Sequence, residues 1–158
     1  MLIDTHCHID MMDNPERYLL KKEQDGGITI GMTNLPSHFE MGYSHFKNLK
    51  YSRLALGYHP LMVASNPNEL SLFKKNLSET SYIGEIGLDF SREGIGSKEK
   101  QVSLLRKILE CISGERKIVS VHSRRAEREL YGLLREYDIK NVIFHWYSGP
   151  IGLIPSIL

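Results

Sequence analysis

The fold is decided by the stretch Leu2-Ile3-Asp4-Thr5-His6-Cys7-His8-Ile9-Asp10, in which a short apolar run leads into two histidines separated by one residue. Such a run predicts a buried β-strand. Alternate side chains of a strand share a face, so His6 and His8 are expected to point the same way and Cys7 the opposite way. Two neutral imidazoles side by side provide half of a metal site. We therefore expect a metal centre at the end of the first strand, completed by later segments.

Composition and charge are those of an ordinary globular domain. The 158 residues are 41% hydrophobic and 25% charged, and we expect residues 1–158 to form a single domain. A formal net charge of +1 gives no broad basic field, so a nucleic acid would have to be bound at a local site. Two cysteines are too few for a disulfide framework, and neither a leader nor a membrane-length apolar stretch is recognisable. These features predict a cytoplasmic protein that does not contact a membrane.

The rest of the chain alternates between strand-like apolar runs and helical patterns. After the first strand, further strands are predicted over residues 28–34, 54–58, 82–89, 118–121 and 142–144. Helices are predicted over residues 15–22, 36–50, 67–77, 97–111 and 125–136. Strands that alternate with helices in this way are joined by right-handed crossovers and form a parallel sheet buried on both faces. The sequence predicts an α/β fold with six strands.

Several residues with metal-binding chemistry fall at or near the carboxyl ends of these strands, the edge at which barrel enzymes carry their active sites. They are His59, Glu85, His122 and His145. Glu85 is flanked by apolar residues such as Ile83 and Ile86, so its carboxylate faces a desolvation cost that only a cation or several donors can offset. Gly84 and Gly87 leave room for the backbone to approach closely. We expect these side chains to converge at one opening, on the side of the fold where the strands end.

The chain is short for a closed barrel of this type. An eight-stranded (β/α) barrel typically needs about 250 residues, so six of eight βα units are expected and the last two strands are expected to be missing. We therefore expect a truncated chain. An open six-stranded sheet would leave an uncovered edge, which predicts self-association or a partner chain.

Five blocks of sequence resemble the TatD family of metal-dependent deoxyribonucleases, which have the metallo-dependent hydrolase type of TIM barrel. The blocks are Asp4-Thr5-His6-Cys7-His8, Leu56-Gly57-Tyr58-His59-Pro60, Gly84-Glu85-Ile86-Gly87-Leu88-Asp89, Val121-His122-Ser123-Arg124 and His145-Trp146-Tyr147-Ser148-Gly149. The last block, together with Ser123-Arg124-Arg125-Ala126, is similar to the TatD-like nucleases of Qat anti-phage defence systems. The resemblance extends over the whole chain.

The resemblance implies a pair of divalent metal ions. It implies that His6, His8 and Glu85 hold one ion, that Glu85, His122 and His145 hold the second, and that Glu85 bridges them. Ligands that are mostly nitrogen favour zinc or manganese, although magnesium also serves the family. The family has a further aspartate in a Thr-Asp-x-Pro block on its eighth strand, and this block has no counterpart here. We therefore expect the chain to bind metal poorly and to be weakly active until about 90 residues extend it.

The candidate catalytic residues are Glu85, His59, Asp89 and Arg124. His59 either positions the substrate or makes a structural hydrogen bond at a strand end. Asp89 either caps the following loop or hydrogen-bonds a metal-ligand histidine at the ring nitrogen that does not bind the metal. Arg124, directly after a strand end, is placed to hold a phosphate, or it belongs to a solvated helix start.

Two further groups of residues leave their roles open. Tyr58, Trp146 and Tyr147 either stack on nucleobases at the mouth or pack the rim of the barrel. His38 and His45 lie in a helical segment without partners at metal-ligand spacing, so we interpret them as solvent-facing or packing histidines.

Three hypotheses on function follow. The first is a metal-dependent deoxyribonuclease that acts on DNA ends or single strands, with a role in anti-phage defence. The second is a metal-dependent amide or ester hydrolase of the same fold, because histidine pairs on the first strand recur across amidohydrolases. The third is a non-catalytic scaffold subunit of a defence complex. Metal binding and DNA cleavage by the chain and by Glu85→Ala separate the three.

Overall fold

The computed structural model of the protein describes residues 2–158 as parallel strands alternating with helices. The strands are β1 (Ile3–His8), β2 (Ile28–Met32), β3 (Ser52–Leu54), β4 (Tyr82–Asp89), β5 (Ile118–Arg124) and β6 (Val142–Phe144). The helices are α1 (Pro15–Gln24), α2 (Pro36–Phe46), α3 (Leu70–Asn76), α4 (Lys98–Ile112), α5 (Glu127–Glu136) and α6 (Ile154–Ile157). The α/β class and the six strands agree with the sequence-based prediction.

The strands form two parallel sheets, with the orders β1-β2-β3 and β4-β5-β6. The expectation of one continuous six-stranded sheet is therefore wrong. Between the two sheets the ladder is reduced to a single bridge, in which Leu56 pairs with Ile83. Strand β3 ends at Leu54, earlier than predicted, because the next two residues donate their backbone hydrogen bonds to different sheets. Ala55 N–H donates to Gly31, and Leu56 N–H donates to Tyr82.

The two sheets meet where the chain after β2 contacts β4 directly. Thr33 N–H donates to Gly84 O at 3.3 Å, and Glu85 N–H donates to Thr33 O at 3.2 Å. Gly57 allows this crossing, since a Cβ atom at that position would lie 1.6 Å from the carbonyl oxygen of Thr33. At Gly87, a Cβ atom would lie 2.1 Å from the carbonyl oxygen of His122. The close approach that we expected at the glycines of β4 is thus observed, and it brings Glu85 beside β2 and β5.

Strand β1 departs from the prediction of a buried strand. Ile3 is 53% exposed, whereas Cys7 and Ile9 are buried. Part of β1 is exposed because, within residues 2–158, the strand lies at the edge of its sheet and pairs with β2 on one side. Only the end of the strand that carries the histidines is covered by the core.

The helices pack their apolar faces on the sheets. Helix α4 buries Leu105, Ile108 and Leu109, as its periodicity predicted. Helix α2 buries Phe39 and Phe46, whereas Met41 on the same helix is exposed. Across residues 2–158, each helix is too short or too polar to cross a lipid bilayer.

Candidate metal centre

The centre of the site is the carboxylate of Glu85, which strand β4 carries at its midpoint and which is 1% exposed. Five histidines from four parts of the chain surround it. Oxygen Oε2 lies 3.1 Å from His8 Nε2, 3.5 Å from His59 Nε2 and 3.8 Å from His6 Nε2. Oxygen Oε1 lies 3.2 Å from His122 Nδ1 and 3.6 Å from His145 Nδ1. We call Glu85 and these five histidines the imidazole cluster.

The histidine pair of β1 has the geometry that strand alternation predicted. The Nε2 atoms of His6 and His8 lie 3.1 Å apart, while Cys7 is buried on the other face of the strand. Nδ1 of His6 lies 2.8 Å from the hydroxyl of Ser120, which fixes the orientation of the ring. Nδ1 of His8 is buried and has no hydrogen-bond partner among residues 2–158. Both rings therefore present Nε2 to Glu85.

His122 is oriented by the buried carboxylate of Asp89. Its Nε2 lies 2.8 Å from Asp89 Oδ2, so we assign a proton to that nitrogen. The nitrogen that faces Glu85 is then Nδ1, whose lone pair is available to a metal. Of the two roles open for Asp89, support of a ligand histidine matches this contact, and the same carboxylate also accepts from Ser91 N–H.

His59 has the opposite arrangement of nitrogens. Its Nδ1 accepts a hydrogen bond from Leu61 N–H at 3.3 Å, so we assign its proton to Nε2. Nε2 faces Glu85, which means that His59 offers a donor to the site, whereas His122 offers a lone pair. This tautomer suits hydrogen bonding to the carboxylate or to a substrate better than it suits metal ligation.

His145 reaches the site by stacking on His6. The two ring centroids are 3.4 Å apart and the rings are nearly parallel, at 3°. Within residues 2–158, two groups have all their ligand atoms within 4.8 Å of one another, His6-His8-Glu85 and His59-Glu85-His122. The first group is the one expected from the sequence. In the second group, His59 stands where the resemblance implies His145 as a metal ligand. His145 nevertheless faces the same Glu85 oxygen as His122.

Burial sets the charge state of these groups. It lowers the pKa of His6 and of His59 to about 4, in each case against the opposing effect of Glu85. Burial alone would raise the pKa of Glu85, but the surrounding histidines together hold that pKa well below its usual range. Glu85 is therefore an anion at neutral pH, and His6 and His59 are neutral.

These donors fit a divalent cation. A carboxylate that is 1% exposed needs positive charge nearby, which a bound cation supplies and the neutral rings of His6 and His59 do not. Ser120 behind His6 and Asp89 behind His122 are the kind of outer partners that orient metal-binding histidines. Nitrogen and carboxylate donors in this proportion suit zinc or manganese.

A cavity of about 690 Å³ opens above the imidazole cluster. Its outer edge carries Met11, Arg124 and Trp146, which we call the outer rim, and all three are mostly exposed. Arg124 thus lies at the mouth, where we predicted a phosphate contact. Its only ion-pair partner among residues 2–158 is Glu93, at 3.8 Å.

The sequence-based prediction missed a partly buried acid, Asp10, that organises one wall of the cavity. The carboxylate of Asp10 accepts from Asn34 N–H at 2.6 Å and lies 2.7 Å from His38 Nδ1. Asn34 lines the cavity, and its carbonyl accepts from His59 N–H. His38 is therefore paired with an acid and is not simply solvent-facing. The position of Asp10, two residues after His8, was the signal that could have indicated this role.

The fold and the donor set together define the class of protein. Parallel strands with a histidine and glutamate centre at their carboxyl ends are the arrangement of barrel-type metal-dependent hydrolases. Residues 3–158 match the family model described as TatD related DNase, and the chain belongs to that family.

Individual relatives agree with this assignment. An uncharacterized metal-dependent hydrolase of Methanocaldococcus jannaschii is 29% identical over 98% of this chain and 63% of its own length. The human protein named deoxyribonuclease TATDN3 is 28% identical over 94% of this chain and 61% of its own length. The crystal structure of YjjV, a TatD homologue from Escherichia coli, superposes with a TM-score of 0.84 and 27% identity. The match covers 99% of this chain and 64% of that structure. The chain thus spans about six tenths of the length of these relatives.

Proposed function

We propose that this chain carries the metal centre of a hydrolase that cleaves phosphodiester bonds in DNA, at ends or in single strands. The observation that carries the proposal is one buried carboxylate whose two oxygens face five imidazoles at 3.1–3.8 Å. The family model and the name of the human relative support DNA as the substrate.

We further propose that the cluster holds two ions, one for each oxygen of Glu85. His6 and His8 face Oε2, and His122 and His145 face Oε1, so a bridging carboxylate explains both sets of contacts. Divalent ions bound there would stabilise the charge that develops on the phosphate and lower the pKa of an attacking water. On ligand preference, zinc or manganese is favoured over magnesium.

The remaining residues have roles around the reacting phosphate. His59 holds a proton on Nε2 at the edge of the cluster, where it can donate to a phosphate oxygen. Arg124 points its guanidinium at the cavity mouth, where two N–H groups can pair with a neighbouring phosphate. Asp89 keeps His122 in the tautomer that presents Nδ1.

The decisive experiment measures bound metal and DNA cleavage for the chain and for Glu85→Gln. Glu85→Gln keeps the shape of the side chain but removes the charge, so bound zinc or manganese and cleavage of labelled single-stranded DNA should both be lost. Glu40→Gln makes the same chemical change on the exposed face of α2 and should leave both readouts intact. Cleavage that persists in Glu85→Gln would refute the proposal.

The same assays separate the alternative functions. Metal binding with cleavage of amides or esters, but not of DNA, would favour the second hypothesis. Absence of both metal binding and cleavage, in the chain and in its extended form, would favour a scaffold role. The chain spans only part of its relatives' length, so the two further βα units expected from barrel size stay a prediction. Activity should therefore also be measured after extension along the native reading frame.

We propose that the chain belongs to the defence-associated subfamily, on the basis of the sequence block that begins at His145. Its Trp146-Tyr147 pair follows the ligand histidine, as in the resemblance to Qat-type nucleases. The proposal places the protein in the cytoplasm, with other defence subunits or a second copy of the chain as partners. Co-purification of neighbouring gene products with the tagged chain would support it, and recovery of the chain as a lone monomer would contradict it.

A further inference from the structure

One aromatic side chain at the mouth of the cavity has no structural explanation within the fold. Trp146 lines the cavity and is 86% exposed. The other two aromatic residues considered for this role are engaged elsewhere. Tyr58 is buried and its hydroxyl donates to the carbonyl of Asn66, while the hydroxyl of Tyr147 donates to the carbonyl of Pro150. Among the described residues of this block, only Trp146 presents a large aromatic face to the mouth.

The loop that carries Trp146 is attached to the body of the protein. Glu127, buried at the start of α5, accepts from the hydroxyl of Ser148, and Gly149 packs against its side chain. On the inner side the indole meets the ring of His145 edge-on, with centroids 6.2 Å apart. Trp146 is thus held next to a residue that lies 3.6 Å from Glu85.

The surroundings of the indole match the chemistry of a nucleotide. Met11, Leu61 and Met62 give the same cavity an apolar wall, while Arg124 supplies a cation at its edge. An apolar surface suits a base, and a guanidinium suits the adjacent phosphate. A volume of about 690 Å³ is in the range of small-ligand sites and is far too small for a duplex.

We propose that Trp146 is a stacking platform for an unpaired nucleobase next to the scissile phosphate. The inference rests on the proposed function, because it names the part of a DNA substrate that the outer rim recognises. Every base has a π-face, so the platform would bind single strands with little sequence preference. It would discriminate against a strand that lacks bases.

The chain contains a single tryptophan, so fluorescence excited at the red edge of the indole band, where tyrosine does not absorb, reports on this position alone. A short thymidine oligonucleotide with cleavage-resistant phosphorothioate linkages, added to the zinc-treated chain, should quench the emission. An abasic oligonucleotide of the same length and linkage, and a blunt duplex, should leave it unchanged. Equal quenching by the abasic strand, or no quenching by the thymidine strand, would overturn the proposal.

Two substitutions test the energetic role of the ring. Trp146→Ala should weaken binding of the thymidine strand about tenfold, measured by anisotropy of a label on the DNA, and Trp146→Phe should retain most of the affinity. Neither should alter binding of the abasic strand or the circular dichroism spectrum. Affinity for the thymidine strand that is unchanged in Trp146→Ala would refute the platform.

The outcomes for the platform and for the hydrolase can be distinguished. Cleavage of single-stranded DNA without quenching would keep the proposed function and eliminate the platform. Quenching by the thymidine strand, without cleavage of unmodified DNA by the chain or by its extended form, would support the platform and eliminate the hydrolase.

Discussion

The imidazole cluster and the outer rim lie a few side chains apart, yet they are built in opposite ways. Glu85 is 1% exposed and contacts five histidines, most of which are oriented by further contacts. Trp146 is 86% exposed and Met11 is 73% exposed, and the one ion pair of Arg124 is long. The cluster is therefore fixed by mutual contacts, whereas the rim has side chains that are free to meet a ligand.

This difference indicates that the imidazole cluster and the outer rim have separate functions. A buried set of ligands can determine which ion is bound and where charge is placed, because its geometry cannot relax easily. An exposed set can determine which molecule enters, because each side chain contributes separately. Substitutions in the cluster should therefore affect metal binding and folding, while substitutions in the rim should affect substrate binding alone.

The largest effect should follow from Gly57→Ala, which acts on the backbone beneath the cluster. The new Cβ would lie 1.6 Å from Thr33 O and 2.7 Å from Glu85 N, and all three residues are buried. We expect a loss of more than about 4 kcal/mol in the free energy of unfolding, measured by urea denaturation. Gly132→Ala is the control, because nothing lies within 4 Å of its Cβ position in α5. It should stabilise the chain by about 0.5–1 kcal/mol. Equal stability of the two variants would contradict the close contact between Gly57 and the backbone of Thr33.

The next effect separates the two histidines that compete for the second metal position. The tautomer of His59 makes it a poor metal ligand, so His145 should be the histidine that joins His122 on the Oε1 side of Glu85. His145→Ala should therefore weaken metal binding at least about 100-fold, more than the loss of an outer partner would. His59→Ala should keep the metal and lower the cleavage rate. Calorimetric titration with zinc measures the first quantity, and the reverse result would make His59-Glu85-His122 the second site.

Much of the cluster could be predicted from the sequence because its signals are local. Two-residue spacing places His6 and His8 on one face, and a carboxylate inside an apolar strand, as at Glu85, requires a compensating partner. The fold class followed from the alternation of strands and helices.

What could not be predicted depends on contacts between distant segments. The tautomer of His59 is set by a backbone N–H in the next turn, and the wall made by Asp10 and Asn34 exists only after β1 and β2 have paired. The exposure of Ile3 depends on which strand lies beside β1, and a pattern within β1 carries no information about its neighbour.

A smaller effect is expected for Asp89→Asn, which changes a partner of the cluster and no ligand. An amide can keep the hydrogen bond from Ser91 N–H but no longer enforces a proton on Nε2 of His122. We expect metal affinity to fall about 10- to 100-fold with the fold intact. Asp138→Asn, an exposed acid after α5, should have no effect on zinc titration. Unchanged affinity in Asp89→Asn would mean that Asp89 serves only as a loop cap.

The smallest effect belongs to the outer rim, in Arg124→Ala. Its side chain is 56% exposed, so a single phosphate contact should contribute a factor of about three to ten to DNA affinity. Bound metal should not change, since Arg124 is not part of the imidazole cluster and pairs with Glu93. The salt dependence of binding to single strands should also become shallower, by about 0.7 in the slope of log affinity against log salt. Arg128→Ala removes another exposed arginine, which lies in α5 and is not part of the cavity lining, and should leave both quantities unchanged. If the two variants lose affinity and slope equally, Arg124 acts only through the overall charge of the protein, and the rim then recognises its substrate through Trp146.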